Sequence, residues 1–336
     1  MSTPRRTRAT GRVTLDDVAA VAHVSPITAS RALRGQANVS PELAARVQEA
    51  ARKLGYVPDP AARALASARS TLVPVLVPAL DSRVFVELLE AVHRSLRAAG
   101  FQPLIGVTHD DAAEEEQLLR TDLLHRPAGL IVTGLERSAA ARALLEASGL
   151  PCVHVLDAPA GGHGVGWSQE AAGHAVTQHL LERGRKRIAF VGAGHGAALR
   201  RRTEGWRRAL HDAGLYDARR EVHDPRPASL PLGAELFSEL HERQRANDAV
   251  VFSDDRLAQG ALLAALRLHL RVPQQVAIAG FGDLEGDEQM PAPLTSVRLP
   301  GAALGAEAAR LLIAMLRGEP PARVDLGFEL VVRASS

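Results

Sequence analysis

Apolar residues recur at helical spacing in three short runs near the start of the chain. The first extends from Leu15 to Ala22, the second from Ala29 to Leu33 and the third from Leu43 to Leu54. Each run follows a side chain of the kind that caps helices, namely Thr14, Ser25 or Ser40. Three amphipathic helices of this size can bury one small shared core. We therefore expect a compact three-helix domain over residues 13–58.

The second of these helices carries polar side chains on the face that its apolar residues leave free. Ala29, Ala32 and Leu33 would point inward, and the outward side chains would be those of Thr28, Ser30, Arg31 and Arg34. A polar helix that follows a tight turn is typical of helix-turn-helix proteins, in which an Arg can pair with guanine in the major groove of DNA. The same pattern also arises by chance in Ala-rich helical proteins, where the two arginines would belong to a solvated face.

From residue 72 the pattern changes to short aliphatic runs that alternate with longer amphipathic segments. The runs LVPVLVP, FQPLIGV, AGLIVTG and CVHVL indicate strands, and helices are predicted over 84–99, 114–124 and 139–147. A second series follows, with helices predicted over 170–183, 202–213 and 257–268 and strands over 188–191, 249–252 and 276–279. We expect an α/β fold of two lobes, each built on a parallel sheet, with a ligand cleft at the carboxyl ends of the strands.

The charge of the chain is concentrated in its N-terminal part. Residues 1–70 carry a net charge of +6 and the remainder carries −4, within an overall +2. Residues 1–12 hold four arginines without apolar periodicity. They are predicted to form a flexible basic arm that either attracts DNA phosphates in a salt-dependent way or is inert. No apolar run reaches the length of a membrane span and no secretory signal is present, so we expect a cytoplasmic protein.

Several motifs, in order along the chain, resemble the lactose-repressor family of bacterial transcription factors. They are TLDDVA…VSPITASRAL, LGYVPDPAARALAS, GRKRIAFVG, the R-x-x-G-W at 202–206, SDDRLAQGA, VAIAGFGD and PLTSV. The resemblance covers nearly the whole chain and implies a hinge over 59–70 and an effector-binding and dimerisation core over 71–336. It implies an N-lobe of about 71–166 plus 297–324 and a C-lobe of about 167–296 plus 325–336. The chain would cross between them near 166–169, 296–299 and 324–326.

The resemblance implies that palindromic operator DNA is a partner and that the contacts come from the helix-turn-helix domain and the hinge. The matching positions are Thr14, Ser25, Pro26, Ile27, Thr28, Ser30, Arg31, Arg34, Ala62, Arg63 and Leu65. In the family, two hinge helices pair across the operator and insert a Leu, here Leu65, into the minor groove. On the residues alone, Asp59 and Pro60 can begin a helix that is too short to persist unless it is held. The alternative is an ordinary Ala-rich linker.

The resemblance also implies a set of effector contacts in the cleft. The matching positions are Asp81, Ser82, Arg83, Phe85, Thr133, Trp167, Arg202, Asp254 and Gly282. Gly282 stands where sugar-binding members often carry an Asp, so a carboxylate that would accept neutral sugar hydroxyls is missing. Together with Arg83 and Arg202, this favours an anionic ligand, which Arg can bind through two hydrogen bonds. Arg83 could instead only cap or cover a helix.

Three short sequence segments narrow the resemblance to a gluconate-repressor branch of the family. They are VFVELL, VAIAGFGDLE and VDLGFEL. The expected effector is therefore gluconate, a ketogluconate or a phosphogluconate, and a neutral sugar or another metabolite is the alternative. No leucine heptads follow VDLGFEL, so a homodimer is expected and nothing supports a tetramer.

One motif favours an enzyme instead. Residues 192–197 follow an apolar run and fit the G-x-G-x-x-A phosphate-binding fingerprint of nucleotide-dependent dehydrogenases. The acidic residue at the required distance, Asp212, lies on a predicted helix and not at a strand end, so we interpret the glycines as a tight loop lining the cleft. Hydrolase and metal-enzyme motifs are missing, and we expect no catalytic residue, cofactor or metal. A sugar-binding transport protein would leave residues 14–67 unexplained.

Overall fold

The computed structural model describes residues 13–33, 39–57, 70–80, 82–134, 136–156 and 162–336. The chain divides into two compact units, of which the first ends at Ser70 and the second begins at Thr71. The predicted basic arm and nearly all of the predicted hinge lie outside the described residues. None of the described helices is long and apolar enough to cross a membrane.

Three helices form the first unit around a core of small side chains. They are α1 (Leu15–Val21), α2 (Pro26–Leu33) and α3 (Pro41–Leu54). Thr14 begins α1 with a complete capping box, because its hydroxyl accepts from the N–H of Asp17 and the Asp17 carboxylate accepts from the N–H of Thr14 at 2.8 Å. Gly55, in the left-handed region, ends α3. The core contains Val18, Ala19, Ala22, Ala29, Ala32, Val47, Ala50 and Ala51. The predicted three-helix domain is confirmed.

The second unit contains two sheets, and all strand pairs of the first are parallel. Its strand order is β11-β5-β4-β3-β1-β2, from β1 (Leu72–Val77), β2 (Gln102–Val107), β3 (Leu130–Thr133), β4 (Cys152–Leu156), β5 (His163–Gly166) and β11 (Arg323–Asp325). Alternate residues of β1 face opposite sides. Val73 and Val75 pack with α4 (Arg83–Ala98) and α11 (Gly301–Leu316), whereas Leu76 packs with α5 (Ala112–Leu124) and α6 (Ala139–Ser148). This sheet and its helices are the N-lobe.

The second sheet is parallel except at one edge. Its strand order is β12-β10-β9-β8-β6-β7, from β6 (Ile188–Ala193), β7 (Glu221–Asp224), β8 (Ala249–Phe252), β9 (Ala277–Gly282), β10 (Thr295–Arg298) and β12 (Glu329–Val331). The edge strand β12 is antiparallel to β10, which the sequence did not predict. The helices of this C-lobe are α7 (Gln169–Glu182), α8 (Ala197–Asp212), α9 (Leu230–Arg243) and α10 (Asp255–Arg267), with short 3-10 helices at Ala218–Arg220 and Glu285–Gln289.

Three short connections join the two sheets. The chain leaves the first sheet after Gly166, returns after Arg298 to begin α11, and leaves again after Asp325. The loops that follow the carboxyl ends of the strands in both lobes surround a common space. The predicted α/β architecture of two sheet-based lobes is confirmed.

Glycines allow two pairs of C-lobe helices to approach until their backbones touch. A Cβ atom at Gly173 of α7 would overlap the carbonyl oxygen of Arg202 on α8, and one at Gly205 of α8 would overlap that of Glu170. Gly233 and Gly260 have the same role where α9 meets α10. Since any larger residue would push the helices apart, the contact between α7 and α8 fixes where α8 lies.

Most helices and strands predicted between residues 72 and 279 are present with ends that differ by one or two residues. The predicted start of α8 at Arg202 was wrong, because the helix begins at Ala197. Its first turn carries arginines and no apolar periodicity, so the pattern did not reveal it. β9 also continues to Gly282, three residues beyond its predicted end. Helices α9 and α11 and strands β5, β7, β10, β11 and β12 were not predicted.

Candidate functional site

A cavity of about 340 Å³ lies between the lobes of the second unit, within the size range of small-molecule sites. Its walls include the loops after β1, β3 and β9 and the first turns of α4 and α8. All the described effector positions inferred from the family resemblance line this one cavity: Ser82, Arg83, Phe85, Thr133, Trp167, Arg202, Asp254 and Gly282. Asp81 lies outside the described residues.

Arg202 is held in a single orientation inside the cavity. Its Nε donates to Oε1 of Gln169 at 2.8 Å, and its Nη1 donates to the carbonyl oxygen of Ser253 at 2.7 Å. The guanidinium also lies over the ring of Phe281, 4.6 Å from the ring centroid. Its Nη2 makes no hydrogen bond with the described residues. Burial lowers the pKa of Arg202 to about 10, so the side chain remains charged at neutral pH.

Asp254 also lines the cavity, but its carboxylate already has partners. As the N-cap of α10 it accepts from the N–H of Arg256 at 2.9 Å. It further accepts from Nε and Nη2 of Arg256, at 3.0 and 3.1 Å. The predicted ligand contact is therefore one half of an ion pair, and Arg256 is a cavity residue that sequence reasoning missed.

Gly282 contributes only backbone to the cavity wall. Its φ of +136° is unfavourable for other residues, and a Cβ there would lie 3.1 Å from Oδ2 of Asp255. Asp255 is fully buried beneath it and accepts from the hydroxyl of Ser296 at 2.7 and 2.8 Å. Burial and the adjacent Asp287 carboxylate raise the pKa of Asp255 well above its ordinary value, which favours its protonated form.

Arg83 reaches from the first turn of α4 toward the other lobe. Its Nε pairs with Glu87 at 2.7 Å along the helix, and its Nη1 donates to the backbone of Asp283 in the C-lobe. The side chain is about half exposed. Arg83 thus does more than cover its own helix.

Several cavity residues were not found from the sequence: Asp110, Glu136, Gln169, Arg201, Arg256 and Phe281. Asp110 and Glu136 each follow the carboxyl end of an N-lobe strand by three residues, which is a signal that could have indicated them. Gln169 and Phe281 carry no such signal, because they meet Arg202 only in the folded structure.

The glycine-rich segment is divided between strand and cavity. Gly192 belongs to β6, whereas Gly196 and Ala197 line the cavity and lead into α8. Only part of the segment is therefore the predicted loop. Asp212 is the last residue of α8, with its side chain 68% exposed, so it does not lie at a strand end, where a nucleotide ribose would need an acidic residue.

The outward face of α2 in the first unit is open to solvent. Pro26 and Arg31 are exposed, and Ile27 is 65% exposed. Ser25 is exposed but caps the helix through Thr28, whose N–H it accepts at 3.2 Å, while Ser30 is half-buried. The half-buried Thr14 is likewise engaged in its capping box. The other predicted DNA contacts, Arg34, Ala62, Arg63 and Leu65, lie outside the described residues.

Comparison with known proteins assigns both units. Residues 14–59 match the bacterial regulatory proteins of the lacI family, and residues 177–336 match a periplasmic binding protein-like domain. Over 336 residues the chain is 50% identical to the HTH-type transcriptional regulator GntR of Pseudomonas aeruginosa, covering 99% of this chain and 98% of that protein. The chain belongs to the lacI family. The resemblance found from the motifs is confirmed, and the protein is a DNA-binding transcriptional regulator and not an enzyme.

Solved structures of the lacI family share its architecture. The transcription regulator GntR from Chromobacterium violaceum is 42% identical, with a TM-score of 0.77, and the match covers 79% of this chain and 99% of that one. A complex of the transcriptional regulator CelR with cellobiose is 30% identical, with a TM-score of 0.71, and the match covers 97% of this chain and all of that one (100%). Relatives of this family therefore include one that is solved with a neutral disaccharide.

Proposed function

We propose that this protein is a homodimeric repressor that binds a palindromic operator and releases it when a sugar acid enters the cavity. The proposed acid is gluconate or a close relative, such as a ketogluconate or a phosphogluconate. The outward side chains of α2, above all Arg31, would read base edges in the major groove. Since operator DNA lies in the cytoplasm, the protein would act there.

The orientation of Arg202 carries the proposal for an acidic ligand. Gln169 and Ser253 use one N–H on Nε and one on Nη1, so the outer edge of the guanidinium, between Nη1 and Nη2, is left for a ligand. A carboxylate can accept two parallel hydrogen bonds from that edge.

The charge balance around Arg202 supports the same ligand class. The carboxylate of Asp254 is shared with Arg256, and the raised pKa of the buried Asp255 favours its neutral form, which weakens it as a counter-charge for Arg202. A buried charge without a full counter-charge is costly, and an anionic ligand would supply what the protein does not. Gly282, which lacks a side chain, adds no carboxylate to repel it.

Resemblance supports gluconate within that class. Three segments resemble the gluconate-repressor branch, namely VFVELL, VAIAGFGDLE and VDLGFEL. The relative from Pseudomonas aeruginosa carries the name GntR. The CelR complex with cellobiose favours a neutral sugar as the second candidate.

Titration calorimetry of the full chain separates these candidates. We expect gluconate, 2-ketogluconate or 6-phosphogluconate to bind, and cellobiose to give no heat. Arg202→Gln should abolish binding of the acid, whereas Arg208→Gln, an exposed position on the same helix, should leave it unchanged. Tight binding of cellobiose without heat from any acid would overturn the anionic site.

A further inference from the structure

One charged side chain in the cavity differs from the others in having no partner among the residues that the structure describes. Among the described residues, seven charged side chains line the cavity, and six of them are engaged with other protein groups. Arg83 pairs with Glu87, for example, and Glu136 pairs with Arg200. The exception is Asp110, whose carboxylate makes no hydrogen bond or ion pair with any described residue. A carboxylate at a ligand site that the protein leaves unpaired is available to a ligand.

The loop that carries Asp110 is anchored on both sides. Thr108 donates from its N–H to the carbonyl oxygen of Val77 at 2.9 Å, which ties the loop to β1. Asp111 caps α5 by accepting from the N–H groups of Ala113 and Glu114 at 2.7 and 3.0 Å. Between these anchors, Asp110 has a φ of +56°, in the left-handed region. The backbone therefore holds Asp110 in a conformation that most residues avoid.

Asp110 faces the other lobe across the cavity. Its Oδ2 lies 3.8 Å from the position that a Cβ of Gly196 would occupy, immediately before α8. Arg202 lies six residues further along α8, which is roughly 9 Å at the helical rise of about 1.5 Å per residue. Asp110 thus lies beside the N-terminal end of α8, whereas Arg202 lies further along this helix, and both line the same cavity.

The chemistry of Asp110 suits hydroxyl groups. An ionised carboxylate only accepts hydrogen bonds, and a vicinal diol can donate one to each oxygen. Asp110 is exposed at the cavity wall, and partial desolvation by the surrounding protein raises the pKa of its carboxyl group. A polyol chain would supply the missing donors.

We propose that Asp110 is a specificity-determining residue that accepts hydrogen bonds from the hydroxyl end of the ligand whose carboxylate binds Arg202. This inference rests on the proposed sugar-acid function. It makes the site selective for polyhydroxy monocarboxylates. A simple fatty acid lacks the donors, and an aldaric acid would place a second carboxylate against Asp110, where the two negative charges repel. The terminal phosphate of 6-phosphogluconate would meet the same repulsion, so among the proposed acids this inference favours gluconate and 2-ketogluconate.

The alternative role for the Asp110 carboxylate is a structural one, in which it would cap α8. Gly196 begins α8 without a side-chain cap, and Asp110 could in principle cap that helix. Among the described residues, no side chain, Asp110 included, accepts a capping hydrogen bond from the first N–H groups of α8. Replacement of Asp110 should therefore change ligand selectivity and leave the melting temperature of the free protein unchanged.

Calorimetry of the full-length Asp110→Asn protein tests the proposal with gluconate, glucarate and hexanoate. Asn is well tolerated in the left-handed region, so the fold should persist. We expect gluconate affinity to fall about 10- to 100-fold, as for loss of a hydrogen bond to a charged group. The preference for gluconate over glucarate should narrow, and any weak binding of hexanoate should be unchanged. Glu146→Gln, an exposed position on α6, is the matched control and should behave as wild type.

The outcomes separate this inference from the function on which it rests. If wild-type protein binds gluconate and Asp110→Asn binds it equally well, the assignment of Asp110 is wrong and the acid site stands. An equal loss for gluconate and hexanoate would also overturn it, because Asp110 would then act on the fold of the site. If wild-type protein binds no sugar acid, both proposals fail.

Discussion

Nη1 of Arg83, in the N-lobe, donates to the backbone carbonyl oxygen of Asp283, in the C-lobe, at 2.7 Å. The turn that presents this carbonyl is itself fixed, because the Asp283 carboxylate accepts from Arg298 at 2.6 Å and from Arg333 at 2.7 Å. These ion pairs hold the pKa of Asp283 below its ordinary value despite burial. Arg83 therefore links the lobes at the edge of the cavity, a role that neither interpretation of its sequence position had included.

Removing this link should weaken ligand binding modestly. Arg83→Ala loses a charged hydrogen bond from the half-exposed Arg83 to the buried Asp283, for which we expect a cost of about 1 kcal/mol after allowance for solvent screening, or roughly fivefold in affinity. Arg94→Ala, which removes a similar exposed ion pair from the same helix, should have no effect. Titration calorimetry with gluconate measures both. A loss as complete as that of Arg202→Gln would instead make Arg83 a principal ligand contact.

Base reading by α2 can be tested at Arg31. Arg31→Ala should reduce the preference for operator over scrambled DNA by about 1–3 kcal/mol per half-site, the discrimination carried by a bidentate Arg–guanine pair. Arg46→Ala, an exposed position on α3, removes the same charge outside the reading helix and serves as control. Footprinting on both DNAs measures the difference. Equal weakening on operator and scrambled DNA would indicate that Arg31 contacts phosphate.

The effector should control DNA binding through a coupling that works in both directions. We expect gluconate to lower operator affinity by about 1–3 kcal/mol and operator to lower gluconate affinity by the same factor. Arg202→Gln should keep operator binding and lose the response, giving a repressor that is not released. Fluorescence anisotropy with labelled operator measures this, with and without gluconate at a concentration on the order of 100 times the Kd found by calorimetry. Release of the variant by gluconate would contradict the role of Arg202.

Stability should depend on pH through Asp255. Because its pKa is raised in the folded protein, the folded state keeps a proton that the unfolded chain releases. The free energy of unfolding should therefore fall as pH rises from about 4 toward the folded pKa, with a slope of at most about 1.4 kcal/mol per pH unit. Asp255→Asn, with no proton to lose, should have a flatter profile. Urea denaturation between pH 5 and pH 8, the range of usual protein stability, compares the two.

The exposed Asp212 provides the control for this experiment, since its carboxylate lies at the surface end of α8. Asp212→Asn should keep the pH profile of the wild type. Parallel profiles for wild type and Asp255→Asn would show that Asp255 is ionised in the folded protein.

Local patterns predicted the elements whose signal is carried by neighbouring residues. Capping residues and apolar spacing predicted α1 to α3, and aliphatic runs predicted the central strands of both sheets. The antiparallel β12 was missed because its pairing with β10 is distant in sequence and its three residues carry little pattern. The start of α8 was missed because its first turn is polar and lines a cavity.

In the cavity, too, residues within a local motif were found, whereas contacts between residues distant in sequence were missed. Arg202 was found because it belongs to an R-x-x-G-W motif. Gln169, which orients Arg202, is 33 positions away and has no motif of its own. Asp254 was found, but its pairing with Arg256 could not be inferred from family position alone. Asp110 depends on a backbone conformation that no spacing in the sequence reveals.

The helix crossing at Gly173 and Gly205 bears on how this regulator tolerates mutation. Arg202 and its partner Gln169 lie on the two helices that meet there, so the distance between them depends on two residues that face neither ligand nor solvent. A single added methyl group at either glycine would shift one helix against the other and misalign the receptor for the carboxylate. A genetic selection for non-inducible alleles would therefore return substitutions deep in the packed interior as well as in the cavity wall. Such alleles would still occupy their operators.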